Sequence, residues 1–392
     1  MIDTNGADVY DTTLSDEQRA IRDMARDFAE NEIRPVVMEY DESQEFPADL
    51  FRKMGELGFL GVMAPEEYGG AGLGAREFTL VVEEIARVDP SVALGVAAHN
   101  GLCSGHILTF GSEEIKSRYL PMLATGETMG AWGLTEPASG SDAGGMQTVA
   151  RRDGDGWILN GSKNFITHGT VGSVAVIIAM SDTSLPPSRG ATAFVLEKSM
   201  EGFEAAKKEN KLGMRCSDTS SLVMQDVRVP DTHRLGEEGA GFRQALKILD
   251  GGRISIAALS VGLAQGALDA AVKYATERKQ FGSPLAGFQG VQFKLAQMAT
   301  SVEAARLLTY RAAYLRDTGQ EYGLAASYAK LYASEAAVRC AEEAVQIHGG
   351  YGYIKEYPVE KFYRDAKLLT IGEGTSEIQK IVIARSLLAN PS

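Results

Sequence analysis

The sequence of 392 residues is poor in cysteine, has no excess of positive charge and contains no long uninterrupted apolar run. Its three cysteines, Cys103, Cys216 and Cys340, are odd in number and widely separated. That pattern fits neither a disulfide framework nor a zinc site and is typical of a reducing compartment. The formal net charge of -13 argues against a nucleic-acid-binding surface. The longest apolar stretch, residues 171–180, is too short to span a bilayer.

The N-terminal segment MIDTNGADVYDTT is polar and acidic, unlike a signal peptide or a mitochondrial presequence. Hydrophobic residues make up 44% and charged residues 23%, as in soluble globular proteins, and the length allows two or three domains. The sequence therefore predicts a cytoplasmic protein with neither nucleic acid nor membrane as a partner.

Several familiar catalytic and phosphate-binding motifs are missing. No G-x-G-x-x-G follows a predicted strand, GWILNGSK at 156–163 is only a near miss for a P-loop, and no G-x-S-x-G elbow is present. The five histidines, His99, His106, His168, His233 and His348, show no metal-ligand spacing, so we predict hydrogen-bonding or structural roles and no metal. A redox cofactor would have to be held without a Rossmann motif.

The pattern of apolar residues changes twice along the chain and predicts three domains, at 1–125, 126–235 and 236–392. Amphipathic periods, with a capping signal at Ser15 and Gln18, predict an N-terminal helical domain. Short β-branched runs separated by turn residues predict a middle β-barrel or sandwich, with a hairpin turn at Asn160-Gly161. Long Ala- and Leu-rich periods predict a C-terminal four-helix bundle.

One carboxylate, Glu373, stands between two glycines in the stretch TIGEGTSEIQK. Ser376 and Gln379 have capping-box spacing, so the stretch predicts a helix beginning just after Glu373. The simplest interpretation is a solvated carboxylate that favours the helix N-terminus. The alternative is a functional carboxylate, because flanking glycines let a ligand approach closely.

Three other segments could contact a phosphorylated or flat ligand, although each also has a structural explanation. The loop WGLTEPASGSDAGGM offers backbone N–H groups and hydroxyls, but it could equally be a surface loop. Arg278 in RKQFG is a phosphate partner or a cation stabilising a helix C-terminus. The glycines of QIHGGYGY end a helix and leave backbone accessible.

Taken together and in this order, the motifs TEPASGSDAGG, ERKQFG, QIHGGYGY, YPVEKFYRDAK and EGTSEIQ resemble the acyl-CoA dehydrogenase family. The resemblance covers about 360 residues, nearly the whole chain. It implies the same α+β, multi-domain order that periodicity predicts, namely N-terminal helices, a middle β domain and a C-terminal bundle. It also implies FAD as cofactor, an acyl-CoA substrate, an electron-transfer flavoprotein as acceptor and a homotetramer built as a dimer of dimers.

The resemblance assigns roles to matching positions. It makes Glu373 the catalytic base. The implied FAD-binding residues are Trp132, Leu134, Thr135, Gly140, Ser141, Phe165, Ile166 and Thr167 in one subunit, Arg278, Gln280, Phe281, Phe288, Gln289, Gln346, Ile347, Gly349 and Gly350 from a neighbouring subunit, and Thr375 and Glu377 on the adenine side. The implied substrate-binding residues are Ser141, Ser188, Leu249, Asp250, Arg253, Gly374 and Arg385.

The implied reaction converts a saturated acyl-CoA to a trans-2-enoyl-CoA. Glu373 would take the α-proton while the β-hydrogen leaves as hydride to flavin N5. The Glu373 backbone N–H would polarise the thioester carbonyl, and a buried acyl chain would raise the pKa of the carboxylate toward a useful value.

Three positions depart from branches of the family and bear on the substrate. Gly252 stands where some branches carry the base, which leaves Glu373 as the candidate. Gly372 replaces a common tyrosine and should widen the pocket for branched groups. Ala93 lies in a stretch without the arginine of the glutaryl branch, which argues against dicarboxylyl substrates. The segments ILDGGRISIAAL and FKLAQM most resemble the short-chain branch, so we expect a short acyl-CoA, straight or branched.

Other functions remain open from sequence alone. A flavoprotein of the same fold could act as an acyl-CoA oxidase or run in reverse as an enoyl-CoA reductase. A non-catalytic flavin or acyl-CoA binding protein could keep the fold, although an intact Glu373 argues against it. A purely structural helical protein would carry no flavin at all.

Overall fold

The computed structural model of the protein describes residues 13–389, so most of the N-terminal segment discussed above lies outside the described residues. The first region is helical, as predicted. Its helices are α1 (Asp16–Phe28), α2 (Val37–Ser43), α3 (Ala48–Glu56), α4 (Ala75–Val88), α5 (Pro90–Ala98), α6 (Gly105–Phe110) and α7 (Glu113–Ala124), with π-helical turns at Ala29–Ile33 and His99–Ser104. Ser15 and Gln18 form the predicted capping box at the start of α1.

The middle region is a sheet of eight strands. They are β1 (Gly130–Gly133), β2 (Val149–Asp153), β3 (Gly156–Thr167), β4 (Val174–Met180), β5 (Ala191–Glu197), β6 (Phe203–Lys208), β7 (Thr219–Pro230) and β8 (Arg234–Leu235), with a short helix α8 (Pro187–Gly190) before β5. The order is β6-β7-β3-β2-β4-β5-β8, and β1 pairs with β4 in parallel.

The hairpin predicted at Asn160-Gly161 is wrong, because both residues lie inside β3. The turn lies between β2 and β3, where Asp153 pairs with Gly156 and Gly154 adopts a φ of 61°. The pairing of β3 with β7 is irregular between Leu159 and Gly161. The glycine therefore marks a β-bulge rather than a turn, a distinction that depends on the partner strand.

Strand β4 explains why the middle region reads as continuous apolar runs. Its residues alternate between two cores: Val176 and Ile178 pack with α6 and α7, while Ala175 and Ile177 pack with β3, β5 and β7. Both faces of β4 are buried, so its sequence loses the alternation of a half-exposed strand.

The C-terminal region is the predicted helical bundle. It contains α9 (Gly241–Glu277), a small hairpin of β9 (Lys279–Gln280) and β10 (Ser283–Pro284), α10 (Gln289–Asp317), α11 (Gly323–His348), α12 (Val359–Leu369) and α13 (Ser376–Ala389). Helix α9 packs against α4, α10 and α11. Its length and apolar composition would suit a membrane span, but 83% of its most apolar 18-residue window is buried, as in the core helix of a soluble domain.

A buried ion cluster joins the three regions. Lys361 of α12 lies 2.5 Å from both Asp89, between α4 and α5, and Asp365. Asp365 also accepts the backbone N–H of Met214 from the middle region at 2.5 Å. Two facing carboxylates raise the pKa of Lys361 despite its burial. The cluster fixes α12, and with it the loop that carries Glu373, against the other two regions.

Candidate active site

The loop between α12 and α13 presents Glu373 in a strained backbone conformation. Glu373 has a φ of 51° and Gly374 a φ of 91°, both in the left-handed region that few non-glycine residues adopt. Helix α13 begins at Ser376, and the hydroxyl of Thr375 accepts the N–H of Ile378 at 3.3 Å. The predicted capping box on Ser376 and Gln379 is therefore wrong by one residue: Thr375 caps the helix, and Gln379 turns back to the Gly374 carbonyl at 3.1 Å.

The Glu373 carboxylate points into the protein. Its Oε2 is buried and has no hydrogen-bond partner among the described residues. Burial raises the pKa of Glu373 to about 7, although the charges of Lys330 and Arg253 pull it down. A solvated carboxylate at a helix end would show neither property, so the functional interpretation of Glu373 is the better one.

Helix α9 passes directly beside this carboxylate. A Cβ built at Gly252 would lie 2.0 Å from Glu373 Oε2 and 3.3 Å from a methyl group of Leu102. One turn of the same helix places Asp250 and Arg253 together, with Arg253 Nη1 2.5 Å from Asp250 Oδ1. Leu249 packs on a small apolar cluster of Ala98, Leu102 and Ile248. Helix α9 thus places Gly252 against the Glu373 carboxylate, with the predicted substrate residues Leu249, Asp250 and Arg253 within one turn of it.

The loop after β1 is held by a buried ion pair that the sequence did not reveal. Lys163 Nζ lies 2.6 Å from Glu136 Oε1 and 3.2 Å from the carbonyl of Leu134. Glu136 also accepts the backbone N–H groups of Gln147 and Thr148. Burial lowers the pKa of Lys163 to about 8, against the raising effect of Glu136. The pair ties the predicted flavin loop to β3.

The two predicted flavin segments of the middle region lie side by side. Asn164 donates its backbone N–H to the Thr135 carbonyl at 2.8 Å, which sets Thr135 next to the start of Phe165-Ile166-Thr167. The ring of Phe165 is 67% exposed on a backbone with a φ of 60°, while Ile166 is buried. Gly140 and Ser141 are exposed in the loop. The indole of Trp132 donates to His106 Nδ1 at 3.0 Å and packs on the apolar cluster beside α9.

A separate cleft of about 510 Å³ gathers much of the other predicted set. Arg278, Gln280, Ile347, Gly349 and Gly350 line it together. Gly349 has a φ of 61°, and a Cβ at either glycine would meet nothing within 4 Å. Arg278 is the C-cap of α9, and its guanidinium lies 5.3 Å from the centre of the Tyr351 ring. The backbone here faces open space beside a cation.

The remaining predicted residues are distributed around these two groups. Phe281, 96% exposed, meets Phe288 with ring centres 6.2 Å apart, just before Gln289 begins α10. Gln346 lies in the last turn of α11. Ser188 of α8 accepts an Arg243 hydrogen bond at 3.0 Å through its carbonyl. Glu377 and Arg385 are exposed on α13.

The residues present fit FAD. The cleft offers a guanidinium and side-chain-free backbone, the features that bind a pyrophosphate. The exposed Phe165 and Phe281 offer apolar faces, and the Thr135 and Thr167 segments supply hydroxyls and backbone groups. The cofactor set lies in two groups, as expected if neighbouring subunits complete each site.

Two buried residues that support the candidate site, one beside Glu373 and one beside Trp132, were not predicted from the sequence. Lys330 of α11 is fully buried and donates to the Gly374 carbonyl at 2.6 Å. The signal was present, since Lys330 stands on the alanine face of α11 with Ala326, Ala333 and Ala337. Gln244 accepts a hydrogen bond at 3.2 Å from His106, the partner of Trp132.

All five histidines have hydrogen-bond partners, in line with the roles predicted for them.

Comparison with known proteins identifies one family along nearly the whole chain. Sequence models of the acyl-CoA dehydrogenase N-terminal, middle and C-terminal domains match residues 15–127, 131–227 and 239–388. The short-chain-specific acyl-CoA dehydrogenase of Clostridium acetobutylicum is 47% identical over 95% of this chain and 98% of its own. The CarC subunit of the caffeyl-CoA reductase–Etf complex of Acetobacterium woodii is 46% identical over 96% of this chain and 99% of its own.

Solved structures agree with the sequence relatives. Butyryl-CoA dehydrogenase from Megasphaera elsdenii superposes with a TM-score of 0.95 at 44% identity, covering 97% of this chain and 100% of that one. A glutaryl-CoA dehydrogenase from Mycobacterium smegmatis in complex with FADH2 gives 0.92 at 32% identity, covering 97% and 96%. With the buried carboxylate and the cofactor-compatible surfaces in place, the chain belongs to the acyl-CoA dehydrogenase family, as an FAD-dependent oxidoreductase that dehydrogenates an acyl-CoA.

Proposed function

We propose that Glu373 is the base that removes the α-proton of a short-chain acyl-CoA, giving a trans-2-enoyl-CoA. The observation that carries this assignment is the buried, unpartnered Oε2 of Glu373, held in a left-handed turn against Gly252. A base with a pKa raised to about 7 is partly ionised at neutral pH and a stronger proton acceptor than an ordinary carboxylate. FAD, when bound, accepts the β-hydrogen as hydride.

The backbone of the same loop can polarise the substrate. The N–H of Glu373 makes no hydrogen bond within residues 13–389, so it is available to a thioester carbonyl. Gly374 has no side chain to obstruct that approach. A donor aimed at the carbonyl oxygen would stabilise the negative charge that develops as the α-proton leaves. One short loop would thus provide both the base and an electrostatic stabiliser.

The substrate we propose is a short saturated acyl-CoA, straight or branched at the α-carbon. The relatives named for short-chain and butyryl substrates support the length. Gly372 supports branching, because a side chain there would otherwise extend beside the base. Its would-be Cβ has ordinary clearance, 3.7 Å from the Leu368 carbonyl, so local packing does not demand glycine. Ser188, Leu249, Asp250, Arg253 and Arg385 keep their proposed roles as substrate contacts, as do Ser141 and Gly374.

Assembly, acceptor and location follow as further parts of the proposal. A homotetramer is supported by exposed aromatic rings, with Phe281 96% and Tyr353 88% exposed, and by the division of the cofactor residues into two groups. An electron-transfer flavoprotein is supported as acceptor by the relative named from an Etf complex. A cytoplasmic location is supported by Cys103, Cys216 and Cys340, which are buried free thiols.

The deciding experiment is anaerobic titration of the flavin-loaded protein with butyryl-CoA and isobutyryl-CoA. Loss of the oxidised flavin absorbance establishes the half-reaction, and the better reductant shows whether branching is accepted. Glu373→Gln should keep flavin and fold but lose the reaction. Bleaching by Glu373→Gln at the wild-type rate would remove Glu373 from the role of base.

A second candidate is the reverse reaction, reduction of an enoyl-CoA. The 46% identity to a subunit of a caffeyl-CoA reductase complex favours it. It predicts that chemically reduced enzyme is reoxidised by a 2-enoyl-CoA, while saturated acyl-CoAs leave the oxidised flavin unbleached. Turnover with oxygen as sole acceptor would instead identify an oxidase.

A further inference from the structure

Lys330 is a buried lysine that contacts no carboxylate within the part of the chain that the structure describes. It lies on α11 with no exposed surface, on a face of alanines and two serines, Ser327 and Ser334, whose hydroxyls bond to carbonyls of their own helix. Within residues 13–389 it forms no ion pair; its hydrogen bond goes to the Gly374 carbonyl at 2.6 Å. Burying an ammonium group without an ion-pair partner costs free energy, and an apolar residue could pack against these small side chains without that cost. Packing therefore does not account for a lysine here.

The acceptor of Lys330 belongs to the residue that follows the base. The Gly374 carbonyl receives a second hydrogen bond at 3.1 Å from Gln379 Nε2 of α13. Two donors from two helices converge on one oxygen, next to two consecutive residues with left-handed backbone. Strained backbone persists only where its surroundings over-determine it. These two donors supply that constraint.

We propose that Lys330 is a positioning residue for the reaction: through the Gly374 carbonyl it holds the Glu373 turn, and its ammonium group acts as the buried counter-charge of the base. This inference rests on the proposed role of Glu373. Gln379 shares the positioning task but contributes no charge. Substituting Gln379 therefore changes the support of the turn alone, whereas substituting Lys330 changes both the support and the charge near Glu373.

The charges facing Glu373 come from three elements. Arg253 of α9 is already paired with Asp250 at 2.5 Å and contacts Ser327 at 3.3 Å. Glu377 of α13 is exposed, in the first turn of its helix. On the opposite side, the π-helical turn His99–Ser104 contributes the apolar Leu102. Among residues 13–389, Lys330 of α11 is thus the buried cation near Glu373 that has no carboxylate in contact.

The titration behaviour of the two groups agrees with this geometry. Burial raises the pKa of Glu373 to about 7, and Lys330 is the first of the two cations that oppose the rise. Burial lowers the pKa of Lys330 to about 8, while Glu373 raises it. Between these values the base is ionised and the ammonium group still charged, which is the combination the reaction needs.

The test compares four variants by the pH dependence of anaerobic flavin reduction with butyryl-CoA. Lys330→Met and the milder Lys330→Gln both remove the charge. They should slow reduction by about tenfold at pH 7 and move the acid limb of the profile upward by about one pH unit. Lys330→Arg keeps a cation and should leave the limb in place. Gln379→Met removes only a neutral donor and should slow reduction without moving the limb.

A second readout does not depend on turnover. Infrared difference spectra against Glu373→Gln isolate the protonated carboxyl band of Glu373, and its titration midpoint should rise by about one pH unit in either charge-removing variant. Unchanged midpoints and an unmoved acid limb in Lys330→Gln would overturn the proposal, even if that variant were slower or less stable. If wild-type flavin is not reduced by any acyl-CoA, the proposed function fails, whereas the carboxyl titration still tests the coupling of Lys330 to Glu373.

Discussion

Gly252 and Glu373 are complementary in space: the Cβ of any other residue at position 252 would lie 2.0 Å from Glu373 Oε2. The atom in the way is the end of a flexible side chain, not backbone. A side chain at 252 would therefore displace the carboxylate rather than the helix. Glycine at position 252 therefore leaves room for the Glu373 carboxylate, and it offers no functional group that could replace it.

Gly252→Ala should fold and bind flavin but reduce it slowly with acyl-CoA. Displacing a base by about 1 Å can cost roughly 100-fold in rate, so we expect a loss of that size in the flavin reduction rate, with little change in the unfolding midpoint. Stopped-flow reduction and thermal unfolding measure the two quantities. Gly290→Ala, where a Cβ meets nothing within 4 Å, is the matched control. A Gly252→Ala enzyme that reduces its flavin at the wild-type rate would show that Glu373 does not act from this position.

Gly372→Tyr should narrow the substrate range without unfolding the loop. The backbone at 372 lies outside the left-handed region, and a Cβ has ordinary clearance. A ring beside the base should discriminate against branching, since one misplaced methyl group costs about 1–3 kcal/mol in transition-state binding. The ratio of kcat/KM for isobutyryl-CoA to that for butyryl-CoA should fall by about tenfold or more. Gly372→Ala should lie between, and an unchanged ratio in both variants would place the acyl group elsewhere.

The sequence was sufficient wherever local rules decide structure. The capping box at Ser15, the long apolar periods of α9 and α11 and the glycine end of α11 at Gly349 need only neighbours along the chain. The hairpin turn predicted at Asn160-Gly161 was wrong because this dipeptide occurs in bulges as well as in turns. Only the register against β7 distinguishes the two. The helix cap predicted at Ser376 was wrong because Thr375 offers a hydroxyl one residue earlier and accepts the N–H of Ile378.

The sequence predicts the residue types of the candidate site but not the contacts that hold them in place. Motif resemblance predicted Glu373 as the base, and the burial of its carboxylate depends on the fold. Lys330 contacts Gly374 across 44 residues and Lys163 contacts Glu136 across 27 residues, so no local pattern pairs them. The available hint was a lysine on an apolar face, which says that something unusual is buried but not what it meets.

Lys361→Met should destabilise the protein strongly. The change leaves Asp89 and Asp365 buried without their shared cation, and breaking a buried ion pair typically costs about 3–5 kcal/mol. Urea unfolding followed by circular dichroism measures the loss. Lys355→Met, which breaks an exposed pair with Glu42, is the control and should hardly change stability. Adding Asp89→Asn to Lys361→Met should recover part of the loss; no recovery would mean that the carboxylates are not its cause.

His106 lies in a chain of hydrogen bonds that fixes its tautomer. The Trp132 indole can only donate, so His106 Nδ1 accepts at 3.0 Å and the ring proton sits on Nε2, which donates to Gln244 Oε1 at 3.2 Å. Gln244 passes its own N–H to the Leu235 carbonyl at 3.0 Å. Protonating Nδ1 would break the bond to Trp132. Burial accordingly lowers the pKa of His106 to about 4, although the hydrogen bond to Gln244 raises it.

The protein should therefore lose stability through His106 as pH falls below about 6.5, the ordinary histidine pKa, because the unfolded chain then binds a proton that the folded chain refuses. The loss should continue to about pH 4, the pKa of His106 in the folded protein. His106→Gln can accept from Trp132 but cannot be protonated. The difference in unfolding free energy between wild type and His106→Gln should shift in favour of the variant by about 1.4 kcal/mol per pH unit below pH 6. Urea unfolding at pH 7.5, 6.0 and 5.0 measures it, and a difference independent of pH would show that His106 has the same pKa in the folded and the unfolded protein.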